Sequence, residues 1–431
     1  MRIGMVSATY DQSVVNGAVR MVTLYKEHLE ALGHEVFIFT LGEPAETDAD
    51  VRVIRSPGLR LGGHGYYVSI SYTREAQALL QQMDIVHCHH LLMSVELAHR
   101  YAHCPIVYTN HTRYDLYTGT YTPLPQPAAD AIMRQIWPEF TDLADVVIAP
   151  SEGVRQVMQE FGVRTRIVVI ENGVDLERFL HPRRPRVKAD FGLPDSARLL
   201  VYVGRLATEK NIEALLTQFA AARELVPDLY LALIGKGPQE AELKEFAAGL
   251  NLGEAVHFRG VFPYDEVPDW LAAADGFVTA STSEVHPLTI IEAMATGVPV
   301  AAVRSPGISD SVESGVTGYL AANEDGLDAA IVALMSEPDR TKVMGVAARE
   351  ASKQFDIYRT VAKTVELYDE LLATRPDLHR QEEHGRWARR TEKWAGLLDQ
   401  LADLVRPTDV VDEGTRHWWS LGLSSSRKHY E

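Results

Sequence analysis

Twice along this chain, short runs rich in Val and Ile alternate with longer helical patterns, the rhythm produced by parallel strands joined through crossover helices. The first series reads as strands at Ile3–Val6, Val36–Phe39, Ile85–His87, Ile106–Tyr108 and Val146–Ile148. Between the first two, Val19, Val22, Leu24, Leu29 and Leu32 recur at helical spacing, and Gly33 suits a left-handed helix stop. The rhythm restarts with strands at Leu199–Val203, Leu229–Ile234, Val256–Arg259, Gly276–Ala280 and Val298–Ala302, separated by helices at 212–224, 240–248 and 267–274. Prolines and like charges from Pro182 to Lys188 disfavour regular packing and place a domain boundary there. The expectation is an α/β chain with two doubly wound domains facing a cleft at the carboxyl ends of their strands, where such sheets bind ligands.

The tail behaves differently. Val361–Leu372 reads as a helix, Pro376 interrupts, and Arg380–Val405 is a second helix candidate. On a helical wheel Trp387, Trp394, Leu398, Leu401 and Val405 share one face, while Arg386, Arg389, Arg390 and Lys393 crowd the amino-terminal half. Three readings stay open: a helix docked on its own domain, a dimerisation helix, or an interfacial membrane helix. Against any general attraction to nucleic acid or anionic lipid stand 59 acidic residues to 42 basic ones, a formal net charge of -17. Cys88 and Cys104 are the only cysteines, too few for a disulfide framework. No secretory pattern opens the chain, and no apolar run approaches the ~20 residues of a spanning helix. A cytoplasmic protein is expected, with any membrane contact peripheral on the inner face.

The most informative segment runs from Ser281 through Glu284, His286, Pro287, Leu288, Thr289 and Glu292 to Gly297 and Pro299. Pro287 suits a helix's first turn and Gly297 its stop, which puts Glu284 in the preceding loop and Glu292 inside the helix. First-turn N–H groups attract anionic or hydroxyl-rich ligand groups, and two flanking carboxylates can accept hydrogen bonds from vicinal hydroxyls, as on a ribose and a hexose. An ordinary helix start with a solvated Glu284 is the alternative. After Leu199–Val203 come Gly204 and Arg205, with Lys210 five residues further on, beside a helix start. Two cations there suit a diphosphate, though surface ion pairs would also account for them. Gly235-Lys236-Gly237-Pro238 allows close backbone approach to a ligand, or is a plain turn.

Asn172-Gly-Val-Asp175, Val203-Gly-Arg205 with Lys210, Gly235-Lys-Gly237, Glu284 and Glu292 with seven residues between them, and Ala293-Met-Ala-Thr-Gly-Val-Pro299 together resemble the retaining glycosyltransferases of family 4, which have the two-Rossmann GT-B architecture. The resemblance covers Met1 to about Leu372. It implies an acceptor domain at 1–180, a nucleotide-sugar donor domain at 181–355 and a crossover helix at 356–375 returning to the first domain; residues 376–431 form a helical extension.

By the same resemblance, Arg205 and Lys210 hold the donor diphosphate and neutralise charge on the departing nucleotide. Glu292 grips the ribose hydroxyls, and Glu284 touches the hexose near its 3- and 4-hydroxyls. The backbone of His286, Pro287, Leu288 and Thr289 lies close to sugar and phosphate. Gly17 faces the diphosphate across the cleft, Gly204 and Gly235 belong to the donor loops, and Val261 and Phe262 follow Gly260 beside the nucleobase. His111 approaches the reacting carbon; as a lone residue it would read as structural. The implied reaction moves a hexose from a nucleotide diphosphate sugar, UDP-glucose favoured, to a hydroxyl with retention. It needs no metal and no cofactor beyond the co-substrate, because protein cations stabilise the leaving group.

The chain also departs from the family pattern. Where many members carry Gly-Phe-Gly-Leu or a close variant after the first glutamate, this one has Val285-His286-Pro287-Leu288, and Pro287 cannot donate a backbone hydrogen bond. For the acceptor, Tyr66 and Tyr67 in a glycine-rich aromatic loop and Arg113 beside His111 are the candidates. With the basic, Trp-bearing tail helix, that loop motivates a lipid acceptor such as diacylglycerol; a soluble sugar acceptor is the other reading. His87, His89 and His90 near Cys88 resemble a metal set only superficially, since strand alternation divides their side chains between faces. Two further alternatives are a nucleotide-sugar epimerase of related architecture and a noncatalytic nucleotide-sugar-binding protein.

Overall fold

In chain order the strands are β1 Arg2–Val6, β2 Glu35–Leu41, β3 Val53–Ser56, β4 Leu59–Leu61, β5 Tyr66–Val68, β6 Ile85–Cys88, β7 Ile106–Thr109, β8 Val146–Ala149 and β9 Ile167–Val169, then β10 Arg198–Val203, β11 Leu229–Ile234, β12 Val256–Gly260, β13 Gly276–Thr279, β14 Val300–Val303 and β15 Gly318–Ala321. The structure, a computed structural model, describes residues 1–11, 16–44, 48, 52–61, 66–69, 71–121 and 124–374. The tail helix expected at 380–405 and the loop around His64 lie outside these residues.

Two parallel sheets organise the chain. The first has seven strands in the order β3-β2-β1-β6-β7-β8-β9, the second six in the order β12-β11-β10-β13-β14-β15. Both are doubly wound, and the strand order reverses at β1/β6 in one and β10/β13 in the other. Loops leaving these four strands therefore open at the two topological switch points, where ligands of such sheets bind. A short antiparallel pair, β4 with β5, stands apart. The expected strands of both series are present. Edge strands β3, β9 and β15 were not anticipated.

The helix after β1, Gly17–Ala31, shows how local chemistry starts an element that the site uses. Asn16 caps it, its side-chain oxygen accepting from Ala18 N at 2.9 Å. Val19, Val22, Leu24, Tyr25 and Leu29 are buried under the first sheet, and Gly33, at φ +86°, ends it. The segment after Pro182 is held to the second lobe: Arg184 N donates to Asp269 Oδ1 (2.8 Å) and Arg186 N to Asp269 O (2.9 Å). The last described helix, Ile357–Thr374, buries Ile357, Val361, Leu367, Tyr368 and Leu371 in the core of the first lobe. Both lobes belong to one compact unit.

The two lobe crossings touch at Gly173, where an added Cβ would lie 2.6 Å from Ile357 Cα; Val174 and Asp356 form a parallel bridge beside it. Only glycine lets the two backbones approach this closely.

Candidate functional site

The loop after β10 carries Gly204 and Arg205, then a short 3-10 turn, Thr208–Lys210, and Asn211 at φ +54° before helix Ile212–Leu225. That left-handed residue ends the 3-10 turn at Lys210 and starts the helix. Lys210 Nζ donates to Glu284 Oε1 at 2.7 Å, and Ser281 Oγ donates to the same oxygen at 2.9 Å. Burial alone would weaken the Lys210 charge, but Glu284, with Tyr117 and Tyr202, outweighs it and holds the ammonium well above the ordinary lysine value. Lys210 is thus a fixed, half-buried cation across the working pH range. Arg205 pairs with Glu209, whose carboxylate is buried, and Ser283 Oγ donates to Glu209 O at 2.9 Å. The loops after β10 and β13 are therefore tied together by side chains.

Glycines let two further loops, those after β11 and β12, converge on this edge. At Gly235 (φ +151°) a Cβ would lie 1.8 Å from Gly204 O, and at Gly237 2.0 Å from Leu206 O. Gly204 N donates to Ile234 O and Gly235 N to Gly260 O, at 3.0 and 2.7 Å. Close packing of these loops already requires glycine at 235 and 237, independently of any ligand.

Helix Leu288–Thr296 begins one residue later than expected. Pro287 is its cap rather than part of its first turn, and Gly297, at φ +87°, closes it. No side chain caps its start, so first-turn N–H groups at Leu288 and Thr289 have no side-chain capping oxygen. Asn172 Nδ2 donates to His286 O at 2.9 Å, fixing the loop from the interlobe crossing. The His286 ring is buried against Phe355, centroids 4.9 Å apart, with both nitrogens unpartnered among the described residues; burial pushes its pKa down to about 4. Only its backbone remains suited to the donor role expected for it.

Glu292, inside that helix, is buried, which raises its carboxyl above the usual range even though Tyr264 and Arg20 oppose the shift. Tyr264 donates its hydroxyl proton to Glu292 Oε1 at 2.7 Å. Val261 is exposed, and Phe262 stacks on Trp270 with centroids 4.2 Å apart.

The first lobe supplies the opposite wall. Tyr117, on helix Tyr114–Tyr121, lies within the field of Lys210, Glu209, Glu284 and Arg205. Arg20, on the helix that Gly17 opens, sets its guanidinium carbon 3.7 Å from the Tyr264 ring centroid. Among the described residues nothing lies within 4 Å of where a Cβ at Gly17 would stand. His111 shares a hydrogen bond with His89, Nε2 to Nδ1 at 3.0 Å, their rings stacked at 5.3 Å. His89 in turn stacks on His87 at 4.2 Å, and His87 is held between Tyr368 OH and Thr109 Oγ1, each at 2.6 Å. Burial brings His87 and His111 down to about 3, so both imidazoles are neutral at pH 7. His90 turns the other way, toward Ser7 Oγ and Ala8 N at 3.3 Å. Among the described residues no three His, Cys, Asp or Glu side chains are grouped to hold a metal ion.

Of the acceptor candidates, Arg113 is buried and paired with Asp115 at 2.6 Å, and the Tyr67 ring packs over Gly42. Tyr66 is described only as backbone in β5, paired with Leu61. The structure thus joins Arg205, Lys210 and Glu284 into one charged cluster and Glu292 into another on the same sheet edge. Arg20, Tyr117, Tyr264 and His89 carried no local signal, because their importance comes from contacts between distant segments.

Two family models divide the chain between them: "Glycosyltransferase Family 4" matches residues 15–178 and "Glycosyl transferases group 1" matches 183–351. An alpha-monoglucosyldiacylglycerol synthase of Streptococcus pneumoniae is 31% identical over 366 residues, covering 79% of each chain. The chain belongs to the group 1, family 4 glycosyltransferases. A D-inositol 3-phosphate glycosyltransferase of an Arthrobacter species is 30% identical, covering 82% of this chain and 89% of its own. In architecture this family 4 chain is similar to sucrose-phosphate synthase from Thermosynechococcus elongatus, with TM-score 0.71 at 23% identity, covering 86% of this chain and 99% of that one. The GT-B fold expected from the sequence is therefore present.

Proposed function

We propose that this glycosyltransferase moves glucose from UDP-glucose to a hydroxyl of diacylglycerol, with retention at the anomeric carbon. The observation that carries the reading is the Lys210–Glu284 contact of 2.7 Å at the second switch point, which puts a fixed cation beside a carboxylate able to accept hydrogen bonds from sugar hydroxyls. Lys210 and Arg205 stabilise charge growing on the departing diphosphate, Glu284 and the first-turn N–H groups orient the sugar, and Glu292 accepts from the ribose. No metal or cofactor takes part. Neutral His111 stands over the sugar as a hydrogen-bonding group. The departing phosphate oxygen accepts the proton of the incoming hydroxyl on the same face, which gives retention. The diacylglycerol acceptor is supported by the pneumococcal relative, named for an alpha-linked glucolipid product; an alpha product from an alpha-linked nucleotide sugar is retention.

Among the described residues no helix is long and apolar enough to cross a membrane. In this reading the enzyme meets its lipid as a peripheral protein on the cytoplasmic face. The inositol-phosphate relative favours a second reading, a soluble hydroxyl acceptor. Release of UDP from UDP-glucose, measured with diacylglycerol vesicles, with inositol phosphate and with neither, decides between them. Vesicle-dependent release with a glucosylated lipid in the mass spectrum is expected. Release only with inositol phosphate favours the second reading, and epimerised UDP-sugar or binding without release contradicts transfer.

A further inference from the structure

Resting on the donor-site reading, one more arrangement gains a role. Tyr264 opens the 3-10 turn Tyr264–Glu266 just after β12, and its hydroxyl takes one acceptor position on Glu292 Oε1 at 2.7 Å. A carboxylate offers about four such positions, so most remain for a ligand's hydroxyls. On the far side of the Tyr264 ring lies Arg20 of the first lobe, 3.7 Å from the centroid. Its Nε is buried without a hydrogen-bond partner among the described residues, while a side-chain hydrogen bond and the charge of Arg20 both act on the Tyr264 phenol, so the guanidinium holds that side chain by its ring face and by its hydroxyl.

We propose that Tyr264 and Arg20 form a clamp between the lobes that orients Glu292, so that ribose recognition in the second lobe depends on a cation supplied by the first. Glutamate has three rotatable side-chain bonds, and a ligand that must first order them binds more weakly. The charge-assisted hydrogen bond from Tyr264 fixes Glu292 beforehand. The guanidinium, held over the ring face, keeps the phenol in place and is attracted by the ring's negative face in a site that excludes most water. Separating the lobes would remove Arg20 from the ring, which makes nucleotide affinity sensitive to cleft closure. Both are positioning residues, since their contacts are with Glu292 and with each other.

The test compares binding of UDP and of 2′,3′-dideoxy-UDP, which lacks the ribose hydroxyls, to the full chain by calorimetry. The wild type should prefer UDP clearly. Tyr264→Phe, which deletes one oxygen, should shrink that preference by about three- to tenfold, and Arg20→Ala should act in the same direction, with Arg20→Lys recovering part of the loss. In turnover the KM for donor should rise while kcat at saturation changes less than about twofold, the pattern of lost binding made equally in ground and transition states. Melting temperatures near the wild-type value show that the variants fold, and the Arg20 substitutions give the same reading if Tyr264→Phe does not. Wild-type preference retained in both Tyr264→Phe and Arg20→Ala overturns the clamp alone. A wild type that binds both nucleotides equally overturns the assignment of Glu292 to the ribose, and the clamp with it.

Discussion

Lys210→Ala is expected to lower kcat/KM by about 10²- to 10³-fold, the usual cost of removing one preorganised charge-stabilising group from a water-poor site, with little change in folding. The reason lies in how the charge is held. Lys210 is half-buried, bonded to Glu284 at 2.7 Å, and kept protonated by that carboxylate with Tyr117 and Tyr202. It therefore needs no reorganisation as negative charge builds on a departing diphosphate. The fold should tolerate its loss because Glu284 keeps the Ser281 hydroxyl and is partly exposed, so water can replace the ammonium. Lys210→Arg should recover part of the rate, since the charge survives but its position shifts. Steady-state kinetics with the saturating acceptor measure this; unchanged kcat/KM in Lys210→Ala would remove Lys210 from the mechanism.

The second large effect concerns acid. His87, His89 and His286 are buried and held neutral by desolvation, His87 down to about 3 and His286 to about 4, with His89 well below its ordinary value. In the unfolded chain each returns to about 6.5. Below that pH the unfolded state binds protons that the folded state refuses, so stability falls as pH drops from about 6.5 toward 4. Two partly buried rings, His90 and His111, add to the same slope. Glu96 opposes it: burial raises its carboxyl to about 7, so the folded chain holds a proton that the unfolded chain has released, and Glu292 acts likewise. The balance is a net uptake of about one to three protons on unfolding, or ~1.4–4 kcal/mol lost per pH unit. Urea unfolding at pH 7, 6 and 5 measures that slope. His286→Gln should reduce it by about one proton. Stability that is flat or rising toward pH 5 would mean that these imidazoles are hydrated in the folded protein.

How much of this was legible in the sequence depends on distance along the chain. Lys210, Glu284 and Glu292 could be placed because each follows a strand pattern and is punctuated by Gly204, Pro287 or Gly297 within a few residues. The exact start of the 288–296 helix was one residue off, since Pro287 suits a cap and a first turn almost equally. Gly235 looked like a ligand approach; in the structure its lack of a side chain is demanded first by Gly204 O. The His87–His89 stack follows from strand alternation, but the bond from His89 to His111 joins two different strands' exits and has no local sign. Arg20 and Tyr264 lie in different lobes, and no spacing rule brings them together.

The central claim is that the two clusters on the second sheet's carboxyl edge hold one nucleotide diphosphate sugar between them. A crystal structure of the chain soaked with UDP-glucose tests it most directly. The account predicts diphosphate oxygens within hydrogen-bond reach of Arg205 and Lys210, glucose hydroxyls on Glu284, and the ribose on Glu292. Nucleotide density elsewhere, or a diphosphate that leaves Lys210 and Glu292 untouched, would contradict it.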